Sequence, residues 1–319
     1  MANNARASPA QIAPNYCLWG RALVYTAYTA LKSLERPAKT DTMQTFDYDN
    51  LKIRYLRTGS GPPIVMLHNG GTSHAIWTDL IALLDGYEIF ALDLLGFGES
   101  SKPESGYELE RYVAILGAFI DAHGLAPTYL VGNCMGSATS LAFAMERPEA
   151  VRSMVLINTL TTHTFSGGLY APMSVLPKRA PALVSALSKI PLGARLGQFG
   201  VRSQIGRYGR EREIDKRPEL AACYASSTQS RSLLRVLADI PNYARLDRFE
   251  APADFPPICS IWGAQNKVLR AAKGRALVGT LRPARQEWLA GCGHLPMLER
   301  PEQVAGIIHE FFSHVSADA

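Results

Sequence analysis

The sequence predicts an α/β protein: a mostly parallel twisted sheet flanked by helices, with a helical segment inserted late in the chain. Three observations predict it. Short continuous apolar runs such as Pro63-Ile64-Val65-Met66-Leu67 have the composition of strands buried on both faces. Such runs alternate with helical patterns, as crossover connections between parallel strands require. Between residues 161 and 250 the alternation breaks into short helical patterns with many prolines and glycines and no clear strand. Sheets of this kind bind ligands at the carboxyl ends of their strands, so the inserted block reads as a lid over that edge.

Composition narrows the classes. At 319 residues and 47% apolar, the chain can bury one large core, or a core and a smaller unit. A net charge of +5 is too small for a chain-wide nucleic-acid argument. Cys17, Cys134, Cys223, Cys259 and Cys292 are odd in number and scattered without metal-ligand spacing. Reduced thiols in a cytoplasmic compartment are expected, with no metal and no cofactor. The first 14 residues lack the charged start and apolar run of a secretory signal. No uncharged stretch of about 18 residues suggests a membrane span.

Residues 1–44 read as an N-terminal extension. Within it, 16–34 fit a helix with Val24, Tyr28, Leu31 and Leu34 near one face, interrupted by Arg21 and Lys32. That helix is expected to pack on the body, on a partner or on a membrane surface rather than to span one. From Gln44 the pattern is of strands. Residues 45–48 and 51–57 flank Asp49-Asn50 as a hairpin. The run 63–67 ends in His68-Asn69-Gly70-Gly71-Thr72, opening a helix near 75–84. Residues 87–92 make the next strand, followed by Asp93-Leu94-Leu95-Gly96-Phe97-Gly98-Glu99-Ser100. A helix bearing Val113, Leu116, Phe119 and Ile120 leads to a strand ending at Asn133; a helix over 137–145 and a strand over 153–157 follow. Beyond the insertion, 257–262 resumes the sheet, 286–289 supplies its last strand and 301–312 a closing helix. The core is thus 45–160 with 251–319, and the cap 161–250. Leu176, Leu183, Leu187, Leu192 and Leu196 are expected to pack the cap.

The chain is organised around Tyr129-Leu130-Val131-Gly132-Asn133-Cys134-Met135-Gly136-Ser137: a strand, a turn with Cys134 between two glycines, then a helix start. This is the G-x-nucleophile-x-G elbow, whose strained turn exposes a side chain at the sheet's carboxyl edge. A helix starting at Met135 aims its N-terminal N–H groups at that side chain. With His68-Asn69-Gly70-Gly71, Asp93-x-x-Gly96-x-Gly98-x-Ser100, Trp262-Gly263 and Gly293-His294 in order around it, the chain resembles the α/β-hydrolase fold over roughly residues 44–315.

The resemblance implies Cys134 as nucleophile and His294 as base. It implies an oxyanion hole from the backbone N–H of Met135 and a second N–H in the loop 68–71, that of Gly70. Asn69 and Asn133, beside these groups, are substrate-contact candidates. His68 and Asp93 are read as structural, Asp93 tying down the turn at Gly96 and Gly98. In one respect the sequence departs from the family. The usual Asp three residues beyond Trp-Gly is Asn266, and the other position sometimes used holds Asn158. A thiol, with an unperturbed pKa of about 8.5, is expected to be favoured as thiolate by the imidazole and the helix N-terminus. The third group then only has to orient the ring, and an amide oxygen does so in the papain-like Cys-His-Asn arrangement. Cys134, His294 and Asn266 form the expected triad, with Asp254 the stand-in for Asn266.

A thiolate attacks thioesters and activated esters or lactones, and its acyl-enzyme passes to water, thiol, amine or carbanion. Residues 161–250 carry 14 Lys or Arg against 7 Asp or Glu, densest at Arg202, Arg207, Arg210, Arg212, Lys216 and Arg217. A basic entrance suits coenzyme A phosphates or an acyl carrier protein. The expected activity is acyl hydrolysis or transfer on such a substrate, without nucleic acid. The alternatives are C–C hydrolysis or lyase chemistry on the same fold, and a non-catalytic binding protein. The Gly-Asn-nucleophile pattern also resembles ring-cleavage-product hydrolases and haloalkane dehalogenases, but the latter need Asp at 134.

Overall fold

A computed structural model describes residues 42–174 and 193–317. The expectations for 1–41 and for Leu176, Leu183, Leu187 and Leu192 lie outside the described residues. An eight-stranded sheet runs in the order β1-β2-β4-β3-β5-β6-β7-β8. Strands β1 (Thr42–Tyr48) and β2 (Leu51–Gly59) pair antiparallel, as do β2 and β4. Both turn residues, Asp49 and Asn50, have positive φ (49° and 60°), the geometry that matches the twist of a tight hairpin. The remaining pairs, among β3 (Pro63–Leu67), β4 (Glu88–Leu92), β5 (Thr128–Asn133), β6 (Val151–Ile157), β7 (Ile258–Gly263) and β8 (Arg285–Leu289), are all parallel.

Alternate side chains of the central strands feed opposite cores. Val65, Leu67, Leu130, Met154, Leu156 and Trp262 face one layer; Ile64, Met66, Val131, Val155, Ile157 and Ile261 face the other. The expected helix near 75–84 is shorter: a 3-10 turn His74–Trp77 followed by α1 (Thr78–Ile81). Helices α2 (Leu109–Ala122) and α3 (Met135–Glu146) cover the first layer with Tyr112, Leu116, Phe119, Leu141 and Phe143.

Between β6 and β7 the described residues hold helices and no strand. These are α4 (Thr162–Phe165), α5 (Ala194–Gln204), α6 (Arg207–Glu211), α7 (Pro218–Ala225), α8 (Ser227–Ala238) and α9 (Ala244–Asp247), with 3-10 turns between. Leu196 of α5, expected to pack the cap, is 56% exposed. Helix α10 (Ala271–Leu281) between β7 and β8 was not anticipated; it buries Gly274, Leu277, Val278 and Leu281 on one face. The chain closes with α11 (Pro296–Glu299) and α12 (Pro301–Ala317). Among the described residues no helix is long and apolar enough to cross a membrane, and no cluster of His, Cys, Asp and Glu could hold a metal ion.

Candidate active site

Cys134 joins β5 to α3 with φ +53° and ψ −108°. Surrounding bonds over-determine this strained turn. Its N–H donates to Ile157 O at 2.9 Å, and its carbonyl accepts from Ala138 at 2.9 Å and Leu160 at 3.3 Å. The N–H of Gly136 donates to His68 O at 3.2 Å. Only glycine fits at 136, where a Cβ would lie 2.0 Å from Leu67 O. This close approach sets the loop from His68 to Gly70 beside Cys134.

His294 lies in the loop before α11. Its N–H donates to Gln204 O at 2.6 Å, and its carbonyl accepts from Nδ2 of Asn133 at 3.3 Å and of Asn158 at 3.2 Å. Asn158 therefore holds the backbone of His294, not its ring. The ring's Nδ1 is 3.2 Å from Asn266 Oδ1, which also accepts the N–H groups of Val268 at 3.0 Å and Leu269 at 3.1 Å. Those two backbone donors fix which end of the amide is oxygen. Nδ1 must then carry the ring proton, leaving Nε2 as the acceptor in the pocket that His294 shares with Cys134. This is the tautomer a base requires.

Charge is almost absent. Burial pushes the Cys134 thiol up to about 12, against the Met135 N–H bonded to it, and lowers His294 to about 3. The expected resting thiolate is therefore not present: desolvation of a side chain only 7% exposed outweighs the helix N-terminus. Asn266 supplies no charge to offset it, and among the described residues its own buried Nδ2 has no partner, nor does Asn133 Oδ1. Asp254, the stand-in acid, is exposed on the turn before β7, at the strand's amino end and away from the site.

His68 and Asp93 are structural. His68 Nε2 accepts from Leu94 N–H at 2.9 Å and Nδ1 donates to Asn69 O at 2.7 Å. Asp93 Oδ2 accepts from Glu99 N–H at 2.8 Å, and a Cβ on Gly98 would lie 2.1 Å from its carboxyl group. The sequence did not reveal its second partner: Oδ1 takes both the N–H and Nδ1–H of His74, at 2.7 and 2.8 Å.

Glu299 was also missed as a functional side chain. It is fully buried, and its Oε1 accepts from Gly293 at 2.7 Å and Leu295 at 3.4 Å. Its Oε2 accepts from Gly206 at 2.8 Å and Gly209 at 3.2 Å. One carboxylate thus ties the histidine loop to the start of α6. Its signal was its place six residues after Gly293 in the tail 293–302, a fixed offset with no chemistry of its own. Glu299→Ala should orphan these four buried N–H groups and cost about 3–5 kcal/mol by urea unfolding. Glu299→Gln, which keeps one acceptor, should cost less than half as much; equal losses would count against the clamp.

The pocket is lined by Asn69, Gly70, Cys134, Met135 and His294 from the core and by Leu160, Phe165, Leu233, Val236, Leu237 and Val268 on an apolar side. Tyr170, Gln204 and Tyr224 complete it, leaving a small cavity of about 40 Å³. Among the described residues no charged side chain lines it. Gly70 and Met135 stand together as expected; Asn133 does not reach it, and neither do Arg202, Arg207 or Arg210. The cap's cations are paired instead: Arg202 with Asp215 at 2.9 Å, Arg207 with Glu211 at 3.5 Å, and Arg217 and Arg212 with Asp79 at 2.6 and 3.4 Å. Arg210 donates to Ile205 O at 3.3 Å. Much of the cap's positive excess thus answers core acids, Asp79, Glu104, Glu110 and Glu146 among them. Tyr170, Gln204 and Tyr224 were invisible in the sequence, because the insertion carries no motif.

Residues 62–301 match the α/β hydrolase fold family, and the chain belongs to it. Its relatives include haloalkane dehalogenase 2 of Mycobacterium tuberculosis, 30% identical over 239 residues covering 70% of this chain and 78% of that one. Monoacylglycerol lipase abhd6-B of Xenopus laevis is 25% identical over 320 residues, covering 95% of this chain and 90% of the relative. A membrane phospholipase A of known structure superposes with a TM-score of 0.68 at 24% identity, covering 94% of this chain and 98% of its own. The protein is an enzyme, a hydrolase of the α/β type.

Proposed function

We propose that the protein cleaves an ester or thioester through a covalent acyl-enzyme on Cys134. One observation carries this reading. Asn266 Oδ1, pinned by the Val268 and Leu269 N–H groups, keeps the ring proton of His294 on Nδ1 and gives Nε2 to the pocket of Cys134. As Sγ adds to the substrate carbonyl, its proton passes to Nε2. The oxyanion is held by the N–H groups of Met135 and Gly70, one such donor being worth about 2.7–4 kcal/mol. Collapse expels the leaving group, which takes the proton from Nε2. Water then attacks the thioester, gives its proton to Nε2, and the acid departs as Sγ regains a proton. The thiolate is made only as it is used, since both groups are neutral at rest. A carboxylate nucleophile of the dehalogenase kind is absent at 134. A coenzyme A or carrier-linked thioester fits only with its charged portion outside the uncharged pocket.

The test is an acyl adduct. Rapid quench after mixing with p-nitrophenyl butyrate should show a butyryl group on Cys134 by intact mass, released by hydroxylamine. Its absence while turnover proceeds would overturn the reading. A second check concerns the resting thiol. Alkylation of Cys134 by iodoacetamide should be slow at pH 7 and still rising beyond about pH 9, because the protonated thiol is not the nucleophile. A plateau below about pH 8 would show a preformed thiolate.

A further inference from the structure

The polar wall of the pocket distinguishes donor from acceptor. Ser203 Oγ gives its one proton to Gly200 O at 2.7 Å, so in the 2.7 Å bond between Tyr170 and Ser203 the phenol is the donor. Gln204 is the other hydrogen-bonding neighbour of the Tyr170 hydroxyl, which leaves one lone pair to accept. Tyr224 stands the other way round: its hydroxyl accepts from Gln204 Nε2, so its own O–H is left to be given. Asn69 Nδ2 holds Gln204 Oε1 at 3.4 Å and Gly70 O at 3.2 Å, which ties this pair to the oxyanion loop. All four residues line the pocket together with His294, whose N–H is bonded to Gln204 O.

Resting on the acyl-enzyme reading, we propose that this wall recognises the leaving group, and that the leaving group is neutral and carries a free hydroxyl. His294 must protonate the departing atom, so the leaving group lies on the histidine's side, against Gln204. The acyl group then takes the apolar lining of Leu160, Phe165, Val236 and Leu237. A hydroxyl is both donor and acceptor, and it satisfies Tyr170 and Tyr224 at once. A carboxylate or phosphate meets the Tyr224 donor but faces the Tyr170 lone pair and finds no cation. An alkyl leaving group leaves the remaining Tyr170 lone pair and the Tyr224 O–H unanswered, which buried polar groups penalise.

The experiment compares kcat/KM for butyrate esters that differ only in the alcohol. Glycerol monobutyrate should exceed n-propyl butyrate by about tenfold or more, from two neutral hydrogen bonds. Butyryl-coenzyme A and the butyrate ester of glycolic acid should fall below both. Tyr224→Phe should shrink the glycerol-to-propyl ratio by about three- to tenfold, through KM for the glycerol ester. Gln204→Leu should shrink it too; a structural role alone would lower both esters equally and leave the ratio standing. An unchanged ratio in both variants, or a charged ester preferred, overturns the proposal. Adduct formation on Cys134 is followed in the same samples. Adducts without the preference sink only the hydroxyl-recognising wall, whereas turnover without an adduct sinks the acyl-enzyme reading itself.

Discussion

Replacing Cys134 by Ala should abolish ester turnover and the acyl adduct together, because Cys134 supplies the thiol that lines the pocket beside His294. The more informative variant is Cys134→Ser. A hydroxyl is far harder to ionise than a thiol, and the imidazolium formed on its deprotonation would face only the Asn266 amide. In a serine triad, exchanging the acid for an amide lowers kcat by about 10⁴. Cys134→Ser is therefore expected to fall by about 10³–10⁴ in kcat, with folding intact because the side chain differs by one atom. Asn266→Asp should then raise the serine variant by at least about tenfold while changing the cysteine parent much less. The two residues share one proton-transfer chain, so their effects must be non-additive. Additive effects by kcat/KM in the four-variant cycle would mean that Asn266 acts only on the fold, through the N–H groups of Val268 and Leu269.

What the sequence could and could not show follows from how each feature is encoded. The elbow was legible because backbone geometry demands it: Gly136 leaves no room for a Cβ, and Cys134 at positive φ needs small neighbours. The parallel strands were legible from their continuous apolar runs, and the two core layers bear this out residue by residue. Asn266 could be placed by its offset from Trp262-Gly263, since a short loop fixes where its side chain points. The state of the thiol could not be read. Helix N-terminus and imidazole are local in sequence, but the desolvation that outweighs them comes from Leu160, Phe165, Val236 and Leu237, far along the chain. Charge misled for the same reason. Arg212 and Arg217 look like an exposed basic run until Asp79, more than 130 residues away in the chain, is placed beneath them. The cap wall of Tyr170, Gln204 and Tyr224 is the extreme case, assembled from a turn and two helices that carry no shared spacing.

The two buried neutral histidines should make the fold acid-labile well above the carboxylate range. Burial lowers His294 to about 3 and His68 to about 4, from an ordinary 6.5. Below pH 6.5 the unfolded chain takes up a proton at each ring and the folded protein does not. Stability from these groups is thus full above 6.5 and is lost as pH falls toward 4 and 3. Each proton contributes about 1.4 kcal/mol per pH unit, so the slope between pH 6 and 5 should approach about 2.7 kcal/mol per unit. His74 does not cancel it: burial opposes its charge, but the Asp93 carboxylate prevails and raises its pKa. Its contribution is complete once the pH is below 6.5, where folded and unfolded forms are both protonated. Glu299, raised by burial against its four N–H donors, opposes the loss as the pH falls through its raised folded pKa. Urea midpoints measured at pH 7, 6 and 5 give the slope. His294→Gln should remove about half of it, and Asn266→Asp should also reduce it, because a carboxylate beside Nδ1 lets the folded protein bind that proton. A flat midpoint from pH 7 to 5 would mean that the rings already protonate in the folded state. A slope untouched by Asn266→Asp would mean that His294 is not the group that titrates.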